Sequence, residues 1–324
     1  MSALLPLALI AQVPAPEPPV IADQQRDSLS AVAAEMATLP GSAALGIYAL
    51  EARGMRALLE VNAAQAAPVG SSFKLWVLAE AVRQMRSGAR RWRDVVALGA
   101  RALPSGHMQG WPADAPVTLQ TLATMMIAIS DNTATDTLMA TLGRARVEAM
   151  VAAVGITDPA RTLPLLTTRE AAAIKADPAL AASWGRSSLT ERRALLATHQ
   201  RRFGAATLDP TLFDGTPRAA GTVEWFASPA DMARTLDWLR RHGDRPTQQI
   251  LAINPGLPPA TARGFAYVGY KGGSEPGVMA LNYLLNTRDG RWFAVTGNWY
   301  RGDVAIEEAR FAALMHRAVA LTGR

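Results

Sequence analysis

The 324-residue chain contains no cysteine. That absence excludes disulfides and thiolate metal sites, and it leaves the redox compartment open. Lysine is nearly as scarce: only Lys74, Lys175 and Lys271 occur, so 30 of the 33 basic residues are arginine. Histidine is confined to His107, His199, His242 and His316, far apart and without ligand spacing. No metal centre is expected from them, and no cofactor. Beyond the first residues, no apolar run approaches the ~20 residues that a membrane-spanning helix needs. A stripe of interleaved basic and aromatic residues is missing too. Arg240-Arg-His-Gly243 and Arg90-Arg-Trp-Arg93 read as solvated helix ends. The net charge of +6 therefore describes a mildly basic surface, not a nucleic-acid footprint.

With 49% hydrophobic residues the chain can bury a sizeable core, as one large domain or as two closely packed subdomains. Residues 1–22 read separately. An apolar run from Ala3 to Ala11 precedes the small-residue stretch Val13-Pro-Ala15 and a Pro/Glu-rich linker. This is the pattern of an export signal, although the usual positive start is missing; a plain tail is the alternative. The expectation is export, to the periplasm or the medium.

The stretch Pro68-Val-Gly-Ser-Ser-Phe-Lys74-Leu carries the strongest chemical signal. It reads as a loop entering an amphipathic helix that runs to about Met85, with Gly70 supplying freedom at the turn. Ser71 then lies at a helix start, where free N–H groups favour developing negative charge. Lys74, three residues on, leaves the same face. A serine hydroxyl becomes a good nucleophile when a neighbour takes its proton, and a partly desolvated lysine can do so. Ser-x-x-Lys alone is a common pair. Lysine scarcity sharpens it, because a chain that builds its positive surface from arginine has kept lysine where a deprotonatable amine is useful.

Around this stretch the pattern is mixed. A helix is expected from Asp23 to Thr38, then a hairpin around Ala52-Arg-Gly54. Leu103 to Pro116 is a punctuated loop, either ordinary surface or a wall of the cleft. Thr118 caps a buried helix to Ile129, and Ser130-Asp131-Asn132 separates it from a second helix ending at Gly143. Polar groups between buried helices need partners, and a helix cap is the plain explanation. Further helices are expected over 144–154 and after the capping boxes Thr167-Thr-Arg-Glu170 and Ser188-Leu-Thr-Glu191, with turn-rich loops between them and from Phe203 to Ala220. Ser228-Pro-Ala-Asp231 opens another helix, closing near Gly243. Strands follow: Phe265 to Gly273, then a hairpin of Val278–Leu285 and Arg291–Thr296, with glycines where a ligand or another backbone comes close. An amphipathic helix covers Ile306 to Leu321. Strands at both ends with helices between them predict an α+β fold. One antiparallel sheet joins both termini (about 23–67 and 244–324) beside a mostly helical subdomain (about 68–243).

Ser71-x-x-Lys74, Ser130-Asp131-Asn132 and Lys271-Gly272-Gly273 occur in this order. Together they resemble the motifs of the serine β-lactamase and penicillin-binding protein superfamily, closest to class A β-lactamases, over roughly residues 43–321. The resemblance implies that Ser71 is the acylating nucleophile and Lys74 its base or proton relay. It implies that Ser130 passes a proton to the leaving nitrogen and Asn132 hydrogen-bonds a substrate amide. Lys271 would attract the substrate carboxylate and keep the surroundings of Ser130 positive. Gly273 and Ser274 line the substrate strand, with the N–H groups of Ser71 and Ser274 as the oxyanion hole. Asp131 braces the turn. The implied partner is a small molecule (a β-lactam, ester or peptide), and the implied state is a monomer.

Two positions depart from the family's pattern. Its third motif carries a hydroxyl residue where Gly272 stands, which Ser274 replaces only from a different place. Its deacylating glutamate, in a Glu-x-x-Leu-Asn loop, has no counterpart between Gly155 and Ser228. Glu170 and Glu191 are spent on caps, which leaves Asp214, Glu224 or Lys74 used twice. A β-lactam-hydrolysing serine enzyme with slow deacylation is the leading expectation. A peptidase of peptidoglycan peptides, a small-ester esterase, and a binding module without turnover are the alternatives.

Overall fold

The computed structural model describes residues 23–205 and 215–323. The signal-like segment and Asp214 lie outside them. In chain order the elements are α1 (Asp23–Ala37), β1 (Ser42–Glu51), β2 (Gly54–Val61), β3 (Ala67–Pro68), a 3-10 turn (Gly70–Phe73), α2 (Lys74–Arg86), β4 (Val95–Ala97), a second 3-10 turn (Met108–Gly110), β5 (Pro116–Thr118), α3 (Leu119–Ala128), α4 (Asn132–Leu142), α5 (Arg144–Ala153) and α6 (Pro159–Thr162). There follow α7 (Thr168–Lys175), α8 (Pro178–Arg186), α9 (Leu189–Ala205), β6 (Phe226–Ala227), α10 (Pro229–His242), α11 (Arg245–Ala252), α12 (Pro259–Ala262), β7 (Phe265–Glu275), β8 (Val278–Thr287), β9 (Trp292–Tyr300) and α13 (Glu308–Thr322).

The five-stranded antiparallel sheet has the order β2-β1-β9-β8-β7, so strands from the two ends of the sequence meet at β1 and β9. Side chains alternate between its faces, and each face has its own core. Leu45, Ile47, Tyr283 and Trp299 pack with α1 and α13, which the sequence places next to the first and last strands. Tyr48, Leu50, Ala280 and Leu284 turn the other way, into the helical layer of α2, α3, α4, α5 and α10. Because both faces are covered, β1 is buried from Ala43 through Leu50 and lacks the alternation of a half-exposed strand.

Helix α2 is buried on all sides from Leu75 to Val82, not amphipathic as its sequence suggests. It sits among α3, α4, α5 and α10. Its one charged residue in that run, Glu80, receives Arg83 and Gln84 from the same helix. Between the two capping boxes a helix, α8, replaces the expected loop. Asp177 caps it and Pro178 starts it, a signal that outweighs the turn-forming residues around it. Helix α11 likewise opens on Asp244 with Pro246 in its first turn. Asp136 on α4 accepts the Thr168 and Arg169 N–H groups and the Thr168 hydroxyl, at 2.8–3.0 Å, and so fixes the start of α7 beside the cleft. Burial raises the Asp136 carboxyl to about 6.

Candidate active site

The edge strand β7, the first 3-10 turn and the α3–α4 junction enclose a cleft of about 420 Å³, with α7 closing one end. Ser71 lies on the turn, which Gly70 enters at φ +49°. The turn is held from two sides. Val69 N–H donates to the Trp225 carbonyl (2.9 Å), and the Phe73 and Trp225 rings stack with centroids 3.9 Å apart. Asn282 on β8 reaches both the Ser72 hydroxyl (2.9 Å) and the Lys271 carbonyl (3.1 Å), joining turn and sheet. Gly273 makes this approach possible: a Cβ there would lie 2.5 Å from Ser71 N and 2.1 Å from the Val69 carbonyl oxygen. Ser274 N lies against Gly70, so it and Ser71 N are brought to the same place.

Lys74 is wholly buried at the start of α2. Its Nζ donates to the Ser130 carbonyl (2.6 Å), the Ser130 hydroxyl (3.1 Å) and Asn132 Oδ1 (2.7 Å). An ammonium spends all three protons on those acceptors and has no lone pair for serine; the neutral amine has one. Burial, aided by the nearby Lys271 charge, moves Lys74 well below the ordinary lysine range, toward that neutral form. Ser130 links the halves of the site. It sits in the left-handed region (φ +60°), a conformation that costs roughly 1–2 kcal/mol for a residue with a side chain. There its hydroxyl stands 3.1 Å from both the Lys74 and Lys271 amines. Lys271 also donates to the Gly272 carbonyl, and burial lowers it to about 7.

Asp131 is the N-cap of α4, accepting Ala134 N–H (2.8 Å). Its other oxygen takes the N–H groups of His107 (2.6 Å) and Met108 (2.8 Å). Asn132 donates to the Leu103 carbonyl (3.2 Å) while accepting from Lys74, so both ends of its amide are engaged within the chain. Leu103, Pro104 and Ser105 form one wall of the cleft. Ser71, Ser130, Asn132, Lys271, Gly273 and Ser274 all line it, and Lys74 lies directly behind Ser130.

Two features escape motif reading. A Cβ at Gly272 would lie 2.1 Å from the Tyr270 hydroxyl, so that phenol fills the space where a side chain at 272 would project. Tyr270 lines the cleft, and the signal for it is the two-residue spacing to a glycine on one strand face. The second feature is the remaining lysine. Lys175 on α7 is buried in the cleft wall between Glu224 (2.7 Å) and Glu275. Of the glutamates between Gly155 and Ser228, Glu170 is held in its capping box and by Arg144, and Glu191 by Ser188. Glu224 alone reaches the cleft. Among the described residues, no group of three His, Asp or Glu is placed to hold a metal ion.

A family described as "Beta-lactamase enzyme family" matches residues 27–244. Curated proteins give no significant match. Solved structures do. PBP-A is 16% identical with a TM-score of 0.60, over 91% of this chain and 94% of that one. A mutant of it, solved as an acyl-enzyme complex with penicillin G, is also 16% identical with a TM-score of 0.60, over 92% of this chain and 95% of that one. A β-lactamase from Sphaerobacter thermophilus is 20% identical with a TM-score of 0.62, over 91% and 96% of the two chains. At such identities the structural likeness carries the fold.

Proposed function

Since the chain belongs to the beta-lactamase enzyme family, we propose that it is a serine hydrolase acylated on Ser71, with β-lactams or related amides and esters as substrates. The observation that carries this reading is the Ser130 hydroxyl, held 3.1 Å from each of two buried lysines with lowered pKa values in one cleft with Ser71. In this reading neutral Lys74 takes the Ser71 proton as Oγ attacks the carbonyl carbon. The developing oxyanion is received by the N–H groups of Ser71 and Ser274. Lys74 returns the proton through Ser130 to the leaving nitrogen, and charged Lys271 favours that transfer. A substrate carboxylate would meet Lys271 and the Tyr270 phenol, which compensates for the hydroxyl missing at Gly272. Deacylation is slow at neutral pH, because Glu170 and Glu191 are committed elsewhere. Export belongs to the same proposal and rests on residues 1–22.

A fluorescent penicillin tests the reading. The wild-type chain should carry one label, mapped by peptide mass to Ser71, and Ser71→Ala should carry none while melting at the same temperature. A label on Ser72 or Ser130 instead would overturn it.

A further inference from the structure

We propose that Glu275, held by Lys175 and Glu224, is the general base that activates water to hydrolyse the Ser71 acyl-enzyme. The inference rests on acylation at Ser71 and adds the residue that ends the cycle. Its footing is the register of β7. Lys271, Gly273 and Glu275 share one strand face, two residues apart. The Cβ direction of Gly273 points straight at the Ser71 backbone. Lys271 and Glu275 therefore flank the nucleophile, each roughly 7 Å along the strand from Gly273. The Lys271 side carries Lys74 and Ser130, the groups for proton transfer in acylation. On the opposite side stand Glu275, Lys175 and Glu224, all lining the same cleft. Glu224 is anchored from behind, since it precedes Trp225, whose carbonyl and ring hold the nucleophile turn.

Within this triad the bonds are unequal. Lys175 Nζ donates to Glu224 Oε1 and to Glu275 Oε2, and Glu224 Oε2 accepts the Trp225 N–H (3.0 Å). Glu275 Oε1 has no partner among the described residues although it is buried. When protonated, Glu275 can share its proton with Glu224; once ionised, a buried carboxylate oxygen without a donor is costly, and a water entering the cleft would supply one. In this proposal that water would stand between Glu275 and the acylated serine, which line the same cleft. In the step, water oxygen bonds to the acyl carbon, its proton passes to the Glu275 carboxylate, and the carbonyl electrons move onto the oxygen held by the Ser71 and Ser274 N–H groups. The tetrahedral adduct then breaks its bond to Ser71 Oγ. Glu275 gives the proton back to that oxygen, leaving free serine, a carboxylic acid product and Glu275 as it began.

The groups facing Glu275 set when it can act. Burial and the Glu224 charge raise its carboxyl, and Lys175 opposes them; the balance lies at about 8. Burial is the largest single influence on Lys175 and disfavours its charge, but Glu224 and Glu275 together outweigh it and keep it protonated. From the end of β9, Tyr300 feels the same carboxyl, and its phenol is raised mainly by burial. Glu275 is thus protonated at neutral pH and becomes a base as pH rises.

The test follows the adduct alone. Wild-type chain is loaded with penicillin G, excess is removed, and loss of the adduct is timed by intact mass from pH 6 to 9.5. The rate should climb with pH through a midpoint near 8 and level off above it. Glu275→Gln should lose the adduct about 10²–10⁴-fold more slowly at pH 9, with the pH dependence gone. A flat wild-type profile, or wild-type decay in Glu275→Gln, overturns the proposal. If that variant does not fold, Glu224→Gln decides: removing the neighbouring charge should shift the wild-type midpoint to lower pH, and an unmoved midpoint overturns the assignment. Absence of any adduct on Ser71 at pH 6 in both the wild-type chain and Glu275→Gln would instead refute the acylation reading, and this one with it.

Discussion

All three lysines of the chain stand around one cleft. Two of them do what arginine could not. Lys74 and Lys271 are pushed down toward neutrality by burial, whereas Lys175 stays charged because Glu224 and Glu275 oppose burial. Lys74→Arg tests the first of these. A guanidinium stays protonated at working pH, and its fork does not match the acceptors at Ser130 and Asn132. Adduct formation should fall by about 10²–10⁴-fold, timed by intact mass at saturating penicillin. Adduct formation near the wild-type rate would remove Lys74 as the base. Lysine scarcity made Lys74 and Lys271 readable from the sequence, since motifs framed them. Lys175 was equally rare but belonged to no motif. Its partners lie 49 and 100 residues away, so only the fold brings them together.

At the scale of elements, what was legible followed local capping chemistry. Thr118, Thr167 and Ser228 each cap the helix that their sequence announces. What was not legible depended on neighbours. The all-round burial of α2 comes from the helices around it, and α8 hides in a stretch where Asp177-Pro178 is the only start signal. The α3–α4 junction combines both cases. Asp131 is a cap that sequence can foresee, yet the same carboxylate also binds the His107 and Met108 N–H groups, which it cannot. Asp131→Ala should leave three buried or half-buried N–H groups without an acceptor and release the wall of the cleft. The expected loss is about 2–4 kcal/mol of unfolding free energy, read from urea denaturation. A loss under about 1 kcal/mol would mean that water replaces the carboxylate and that the loop stands without it.

Over the whole molecule, the sheet was readable because glycine-bearing turns at Gly54 and Gly290 separate its hairpin strands and both termini supply them, while the cleft is where the sheet edge meets the helical layer. That meeting places two titrating groups on one strand, Lys271 and Glu275, on either side of Ser71. Under the proposed mechanism they impose opposite pH dependences on the two halves of the cycle. If acylation proceeds as proposed it needs charged Lys271, which discharges at about 7, so kcat/KM for a carboxylate-bearing β-lactam should have a falling limb near that pH. Deacylation needs ionised Glu275, so kcat should instead rise toward a plateau above about 8. At pH 6.5 stopped-flow traces should show a burst equal to the enzyme concentration, followed by slow turnover. By pH 9 the burst should shrink, because the acyl-enzyme then empties faster while it fills more slowly. KM, which combines both trends, should rise steeply over the same interval. Parallel kcat and kcat/KM profiles would mean that a single group on one side of the serine governs both steps. A full burst persisting at pH 9 would mean that no base develops on the Glu275 side as its proton leaves.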